Sequence, residues 1–266
     1  MDTRFWGPSG WKMLHQITFN YDPKQQKAKI KEMFTTLPYV LPCKFCRASL
    51  TTYMRTDPVE PALESRAALS KWLYRIHNCV NDKLRKQGQT IEADPTFESV
   101  KAFYEDLLAS GCSKTDFPGW EFLFSVAENH PLCRESKKSS PIPDAPERKP
   151  GMSDEDLNEW NLFQPEERVP YYTRFWTAIG ACLPYPEWRQ LWKRACVRTK
   201  LIQATRNRMS LLKSLWKVRC TLEKEFELVG RTRFADLCLR LAEHRSGCAK
   251  SRRAITCRKN KTRKLR

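Results

Sequence analysis

The sequence predicts an all-α fold: a four-helix bundle with a short fifth helix, followed by a second helical bundle. Three observations predict it. Apolar residues recur at helical spacing over most of the chain, strand-like alternation is almost absent, and one pattern of helices and breaks recurs 142 residues later.

The elements follow in order. Trp11, Leu14, His15 and Thr18 share one helical face, with Ile17 beside them. Residues 26–40 give a second helix that stops near Leu41-Pro42, because a residue before proline avoids the helical region. "CKFCRASLTTYM" restarts a helix. The strongest pattern is "SRAALSKWLYRIHNCVNDKLRKQ", entered by Ser65 as N-cap, with Leu69, Leu73, Ile76, Val80 and Leu84 on its apolar stripe. Residues 96–110 give the short fifth helix. Residues 134–168, rich in proline, serine and charge, read as a linker or long loop. Helical patterning resumes near 169 and runs to about 245.

Composition narrows the function. At 266 residues the chain can hold one large or two modest domains. No apolar run is long enough for a membrane span. "MDTRFWGPSG" lacks the layout of a signal or transit peptide, so the expected location is the cytosol or a place reached without a cleaved signal. Eleven cysteines is an odd number, so complete pairing is impossible, and most are expected to be small buried apolar groups. Residues 1–116 carry 17 basic and 13 acidic side chains, whereas residues 117–266 carry 31 and 17. The last stretch, Lys250 to Arg266, has nine basic residues and no acid. It reads as a disordered tail that either solubilises the chain or attracts nucleic acid or another polyanion.

The repeat points to the site. With the 142-residue shift, "FTTLPYVLPCKFCRASL" (34–50) lies on "WTAIGACLPYPEWRQLW" (176–192), and "SRAALSKWLYRIHNCV" (65–80) on "NRMSLLKSLWKVRCTL" (207–222). Leu41/Leu183, Pro42/Pro184, Arg47/Arg189, Leu69/Leu211 and Leu73/Leu215 are identical. The first helix, "GWKMLHQITFN" (10–20), meets "GWEFLFSVAEN" (119–129) at a different offset. The apolar scaffold persists while one polar set is lost. His15 faces Phe124, Cys43 and Cys46 face Tyr185 and Trp188, and His77, Asn78 and Asn81 face Arg219, Cys220 and Glu223. A duplicated bundle that kept its core and lost a ligand would look like this, so the lost set nominates the site of the first copy.

Three chemistries compete for the Cys-x-x-Cys. A structural zinc site needs four ligands, and neither a second pair nor histidines at finger spacing is present, so no metal is expected. A thioredoxin-like centre needs alternating strands and helices. There remains a redox disulfide on a helical bundle. Cysteines at i and i+3 at a helix start can reach disulfide geometry, and the helix N-terminus with Lys44 and Arg47 favours a thiolate. Such a pair needs an electron acceptor beside one sulfur, a role an isoalloxazine ring between helices would fill. In "HNCVN", His77 and Asn81 share a helical face, with Asn78 three residues before Asn81. Taken alone, that trio reads equally as a satisfied interhelical hydrogen-bond network. Lys83 and Lys86 at the helix end could bind a pyrophosphate.

"WGPSGWKMLH" (6–15), "LPCKFC" (41–46) and "WLYRIHNCVNDKLRK" (72–86) resemble, in order and spacing, the Erv/ALR family of FAD-linked sulfhydryl oxidases, whose last motif runs W-L-x-x-x-H-N-x-V-N-x-x-L-x-K. The resemblance covers about residues 4–110. It implies an Erv-type bundle over 1–115, a second helical domain over 116–249 that is a degenerate Erv-like repeat, and the tail at 250–266. It implies FAD held by Gly7, Trp11, His15, His77, Asn78, Val80, Asn81, Lys83 and Lys86. It also implies that Cys46 lies beside the flavin and Cys43 exchanges with incoming thiols. A thiol-containing protein substrate would attack the Cys43–Cys46 disulfide, and the electrons would pass through Cys46 and flavin to dioxygen, giving hydrogen peroxide.

Departures accompany the match. "QGQTIEADP" replaces the family's proline and "F-D-C", which puts its structural disulfide in doubt. Cys79 inside "HNCVN" reads as packed rather than reactive. No second Cys-x-x-Cys offers a shuttle, leaving Cys248 and Cys257 near the tail. The chain resembles members encoded by large DNA viruses, so the cytoplasm of an infected cell and the virion are the expected locations, with the mitochondrial intermembrane space as the alternative. The second bundle is expected to pack on the first and shape a dimer or substrate surface, and the chain to form a homodimer. The competing function is a polyanion-binding scaffold acting through the basic C-terminal half.

Overall fold

A computed structural model describes residues 1–89, 92–111, 117–137, 139–227 and 233–245, which are helical with no strand among them. The basic tail and Cys112, Cys248 and Cys257 lie outside the described residues. The helices are α1 (Thr3–Phe19), α2 (Pro23–Val40), α3 (Lys44–Thr56), α4 (Arg66–Lys86), α5 (Phe97–Ala109), α6 (Trp120–Glu128), α7 (Arg134–Lys137), α8 (Asp154–Glu159), α9 (Val169–Cys182), α10 (Pro186–Thr199), α11 (Leu201–Ala204), α12 (Arg208–Glu225) and α13 (Phe234–Glu243). Short 3-10 turns occupy Glu60–Glu64 and Glu166–Arg168. No helix among the described residues is long and apolar enough to cross a membrane.

Local chemistry sets the boundaries. Asp2 and Asp22 cap α1 and α2 by accepting from the backbone N–H groups two residues on, and Pro23 opens α2 where a helix needs no N–H. Ser65 accepts from Ala68 N and caps α4. The α2 helix ends because Leu41, ahead of Pro42, is extended at φ −53°, ψ 139°. Cys43 then serves as N-cap of α3, with Cys46 N and Arg47 N donating to its carbonyl at 3.1 and 2.9 Å.

The same construction recurs 142 residues on. Leu183 ends α9 at φ −53°, ψ 144°, α10 starts at Pro186 as α3 starts at Lys44, and Asn207 caps α12 through Ser210 N as Ser65 caps α4. Arg47 Nη1 donates to Leu41 O at 3.0 Å, and Arg189 Nη1 to Leu183 O at 2.8 Å.

The two helix sets meet through like elements: α1 packs on α6, and α2 on α9. Gly10 permits the first contact, since a Cβ there would meet the Phe122 ring at 3.1 Å. Ser9 Oγ donates to Pro118 O at 2.6 Å and accepts from Phe122 N at 3.2 Å. The α2–α9 contact is antiparallel. Gln26 Nε2 donates to Ala181 O at one end, and at the other Arg168 Nη2 donates to Tyr39 O while Tyr39 and Tyr171 stack at 3.9 Å. Buried side chains form one contiguous cluster through both sets, including Phe34, Trp72, Phe122, Phe175 and Trp176.

Residues 134–168, expected as a linker or long loop, are largely loop with the short α7 and α8, and they pack against the bundle. Ser153 caps α8, whose acidic first turn suits a helix N-terminus. The segment packs along α3. Asn158 Nδ2 donates to Thr51 Oγ1 at 2.8 Å, and Arg55 pairs with Asp156 and Glu159 at 3.0 and 2.8 Å. These few buried anchors hold a stretch whose composition reads as loop.

The α9–α10 crossing is close enough to test. A Cβ on Gly180 would lie 2.1 Å from Trp192 Cδ1. Gly180→Ala should lower stability by about 1–3 kcal/mol in a urea melt through overpacking, and an unchanged midpoint would show that the crossing is looser than described.

Candidate functional site

A cavity of about 610 Å³ opens between α1, α3, α4 and α5, within the range of about 300–1,000 Å³ usual for cofactor and small-molecule sites. Helical spacing places its wall. Gly7 and Trp11 come one turn apart on α1, His77, Val80, Asn81 and Lys83 line α4, and Cys46 and Ser49 share a face of α3. Tyr104 and Phe103 of α5 close one side. The wall is mostly apolar. Among the described residues its charged members are Arg4, Lys12 and Lys83, with no carboxylate.

The rings form a continuous stack. Trp11 lies on His77 at 3.9 Å between centroids and 12° between planes. His15 and His77 are joined from Nε2 to Nδ1 at 3.1 Å, one donating and one accepting. His15 also stacks on Tyr104 at 5.0 Å. His15 is 2 % exposed, and its Nδ1 finds no protein partner among the described residues. Burial, with His77 beside it, pulls His15 down to about 3. Burial pulls His77 down to about 4, against the opposing influence of Asp94. Both rings are therefore neutral near pH 7.

Polar residues divide between the cavity and its rim. Asn81 Nδ2 donates to Asp94 Oδ1 at 2.7 Å, and Arg85 holds the same carboxylate at 2.6 Å. Lys83 Nζ donates to Ser49 Oγ at 2.5 Å and forms no ion pair among the described residues, leaving a positive charge in the wall. Of the sequence-predicted set, Gly7, Trp11, Cys46, His77, Val80, Asn81 and Lys83 line the cavity. His15 joins through His77. Asn78 is half-buried and Lys86 exposed, and neither is in the wall. Lys12, on α1, joins Lys83 as a lysine of the wall, and Lys86 lies outside it.

The two cysteines stand apart in setting. Cys46 lines the cavity, whereas Cys43, at the preceding N-cap, is 5 % exposed and does not. Arg47 is buried beside both. Its Nη2 donates to Asn161 Oδ1 at 2.6 Å, and burial first, then Arg168, pushes it down to about 9, with Cys43 and Cys46 acting the other way. Lys44 Nζ donates to Ser140 O and Pro141 O at 2.9 and 3.1 Å. The chain after α7 is thereby tied to the start of α3.

Cys79 corrects an expectation. It is exposed rather than packed, because α4 turns that position outward, and burial, helped by Asp82 and Asp57, raises its thiol. Cys182 fits the expectation of a buried apolar thiol. Among the described residues no group of three or more His, Cys, Asp or Glu is placed to hold a metal. Sequence reasoning missed Ser49, Lys12 and Tyr104. Ser49 follows Cys46 at i+3 and Lys12 follows Trp11, so the first was readable from spacing; nothing local marked Tyr104.

A cysteine pair opening a helix, with Cys46 against an apolar, ring-walled cavity, places the chain among helical-bundle proteins with a paired-cysteine turn beside a cavity. Comparison with known proteins carries this further. The model of the Erv1 / Alr family matches residues 8–101. The chain is 33% identical over 101 residues to the probable FAD-linked sulfhydryl oxidase of Acanthamoeba polyphaga mimivirus, covering 35% of this chain and 71% of that one. It is 35% identical over 83 residues to the mitochondrial FAD-linked sulfhydryl oxidase of Saccharomyces cerevisiae, covering 30% of this chain and 43% of the relative. The Arabidopsis thaliana FAD-linked sulfhydryl oxidase is 34% identical over 83 residues, 30% of this chain and 42% of its own. The match thus spans less than half of the yeast and plant relatives. No solved structure matches the chain. The chain belongs to the Erv1/Alr family.

The neutral histidines give a pH dependence with a definite sign. Below about pH 6.5 the unfolded chain protonates its imidazoles, while His15 and His77 stay neutral in the fold until about 3 and 4. The unfolded state binds more protons, so stability is full above about 6.5 and falls with pH by up to about 1.4 kcal/mol per unit per histidine. Denaturant melts of His15→Phe and His77→Phe should show a shallower loss between pH 6.5 and 4, His130 contributing equally to all. An unaltered slope would contradict the buried neutral pair.

Proposed function

We propose that this protein is an FAD-dependent thiol oxidase that makes disulfides in thiol-containing protein substrates. The observation that carries the reading is the division of the pair: Cys46 lines the cavity and Cys43 does not. The donor set suits FAD. Flat ring walls at Trp11, His77 and Tyr104 suit an isoalloxazine or adenine, and Lys12 and Lys83, in a wall without carboxylates, suit a pyrophosphate. Asn81 reaches the wall with its amide oriented by Asp94. His15 acts behind His77, and Gly7 and Val80 supply apolar wall. Asn78 and Lys86 remain rim contacts by their resemblance alone.

When bound, the flavin supplies a two-electron acceptor that dioxygen reoxidises, with hydrogen peroxide as product. The chain supplies the thiol chemistry. A substrate thiolate attacks Cys43 of the oxidised pair, forming a mixed disulfide and releasing Cys46 as thiolate. A second substrate thiol displaces Cys43, so two substrate thiols become one disulfide and the pair becomes a dithiol. The α3 N-terminus and the buried Arg47 guanidinium favour the thiolate form. Because Cys43 is 5 % exposed, an incoming thiol requires the chain at that corner to yield, where Lys44 holds Ser140 and Pro141.

We read residues 116–249 as a degenerate copy of 1–115. Support comes from the recurring caps, the Arg47/Arg189 bonds and the pairing of α1 with α6 and α2 with α9. Those faces are already covered, so a homodimer would use another surface. The mimivirus relative favours a viral setting, in infected cytoplasm or virion, and the mitochondrial yeast relative favours the alternative compartment.

Purified protein should be yellow and consume oxygen when given thiols. Cys43→Ser, Cys46→Ser and the double variant should fall to the same low turnover, since residues acting as a unit are not additive, while keeping the colour. Trp11→Ala should lose flavin. Colourless protein after expression with ample flavin would refute the reading.

A further inference from the structure

The outer face of the α10–α12 hairpin carries cations that the thiol chemistry does not use. Lys193, Arg194 and Arg198 are exposed along α10, and Lys213, Lys217 and Lys224 are exposed along α12. The hairpin is antiparallel: Ser214 Oγ donates to Thr199 O at one end, and Trp188 packs on Phe226 at the other. Arg198 Nη2 donates to Thr221 Oγ1, which sets the α10 stripe beside that of Lys217 and Lys224. None of the six cations forms an ion pair among the described residues. The exposed carboxylates Glu187, Glu225 and Glu227 gather at the Trp188–Phe226 end.

The corresponding face in the first half is built differently. Thr51, Thr52 and Thr56 occupy the positions of Lys193, Arg194 and Arg198. There α8 covers α3, with Asn158 bonded to Thr51 and Glu159 to Thr52. On α10 that place is uncovered, and Val197 stands 76 % exposed at the position of Arg55. Among the described residues of this face Trp216 turns inward against Phe124 and Phe234 and offers no open ring on which a base could stack. Two rows of cations without ion pairs, on neighbouring helices whose axes pack about 8–10 Å apart, suit a backbone of phosphates rather than an apolar peptide.

We propose that the α10–α12 face binds duplex nucleic acid through its phosphate backbone, without reading sequence. This site is separate from the basic tail and independent of the flavin reading. Each phosphate contact releases counterions, so binding weakens with salt at a slope of about −0.9 per contact on duplex DNA.

The test measures the affinity of the full-length protein for a mixed-sequence DNA duplex of about 20 base pairs over a salt series. The variant Lys193→Gln/Arg194→Gln/Arg198→Gln should bind more weakly and lose about 2–3 from the slope. Lys24→Gln/Lys29→Gln/Lys71→Gln, with the same net charge, should leave the slope within about 1 of the parent. Melting curves check that both variants fold. Absence of duplex binding by the parent, equal behaviour of the two variants, or an unchanged slope in the first would overturn the proposal. The last would assign binding to the tail. Binding of polyglutamate through these residues, without DNA binding, would also overturn it and reassign the face to an acidic protein.

Discussion

The site depends on one break in the chain. Leu41-Pro42 ends α2, and α3 begins at Lys44, so that Cys43 is its N-cap and Cys46 the third residue of its first turn. That placement gives the two sulfurs different surroundings although three residues separate them. It also aims the free N–H groups and positive end of α3 at the pair. The same break at Leu183-Pro184 shows the scaffold without the chemistry: Tyr185 and Trp188 fill the positions, and Trp188 packs into a cluster with Phe117 and Phe226. Aromatic packing thus occupies, on a similar frame, the places that Cys43 and Cys46 hold in the first half.

Around this turn the protein uses burial as much as charge. His15 and His77 are held neutral by desolvation, so they present flat, uncharged rings rather than cations. The positive charge is left to Lys12 and Lys83 in the wall, and to Arg47 behind the sulfurs. The wall thus combines flat uncharged rings with two lysines and no carboxylate. The segment after α7 adds a tie across α3 through Asn158, Asn161 and Lys44.

Much of this was legible in the sequence, for identifiable reasons. Helix ends were readable where a local rule acts strongly: proline after Leu41, and the Ser65 cap of α4. The placing of His77 and Asn81 on one face of α4 followed from helical spacing, whereas Asn78 lies off the wall. The covered strap at 139–162 was not legible, because Asn158 and Asn161 anchor it singly within loop-like composition. Tyr104 was hidden because its role arises from α5 folding back over His15, a contact between distant residues. Cys79 was misjudged because the motif's spacing places a residue on the helix without fixing which way the bundle turns it. Lys86 fell outside the wall for the same reason.

If Cys43 works towards substrate and Cys46 towards the cavity, the two sulfurs must differ in how they trap an external sulfur. Peptide mapping by mass spectrometry after anaerobic mixing with a peptide disulfide, whose second sulfur leaves as the thiol, reads that difference. The Cys46→Ser protein should carry a stable mixed disulfide on Cys43, and the Cys43→Ser protein little adduct on Cys46. Equal trapping on both sulfurs, or trapping on Cys46 alone, would contradict it.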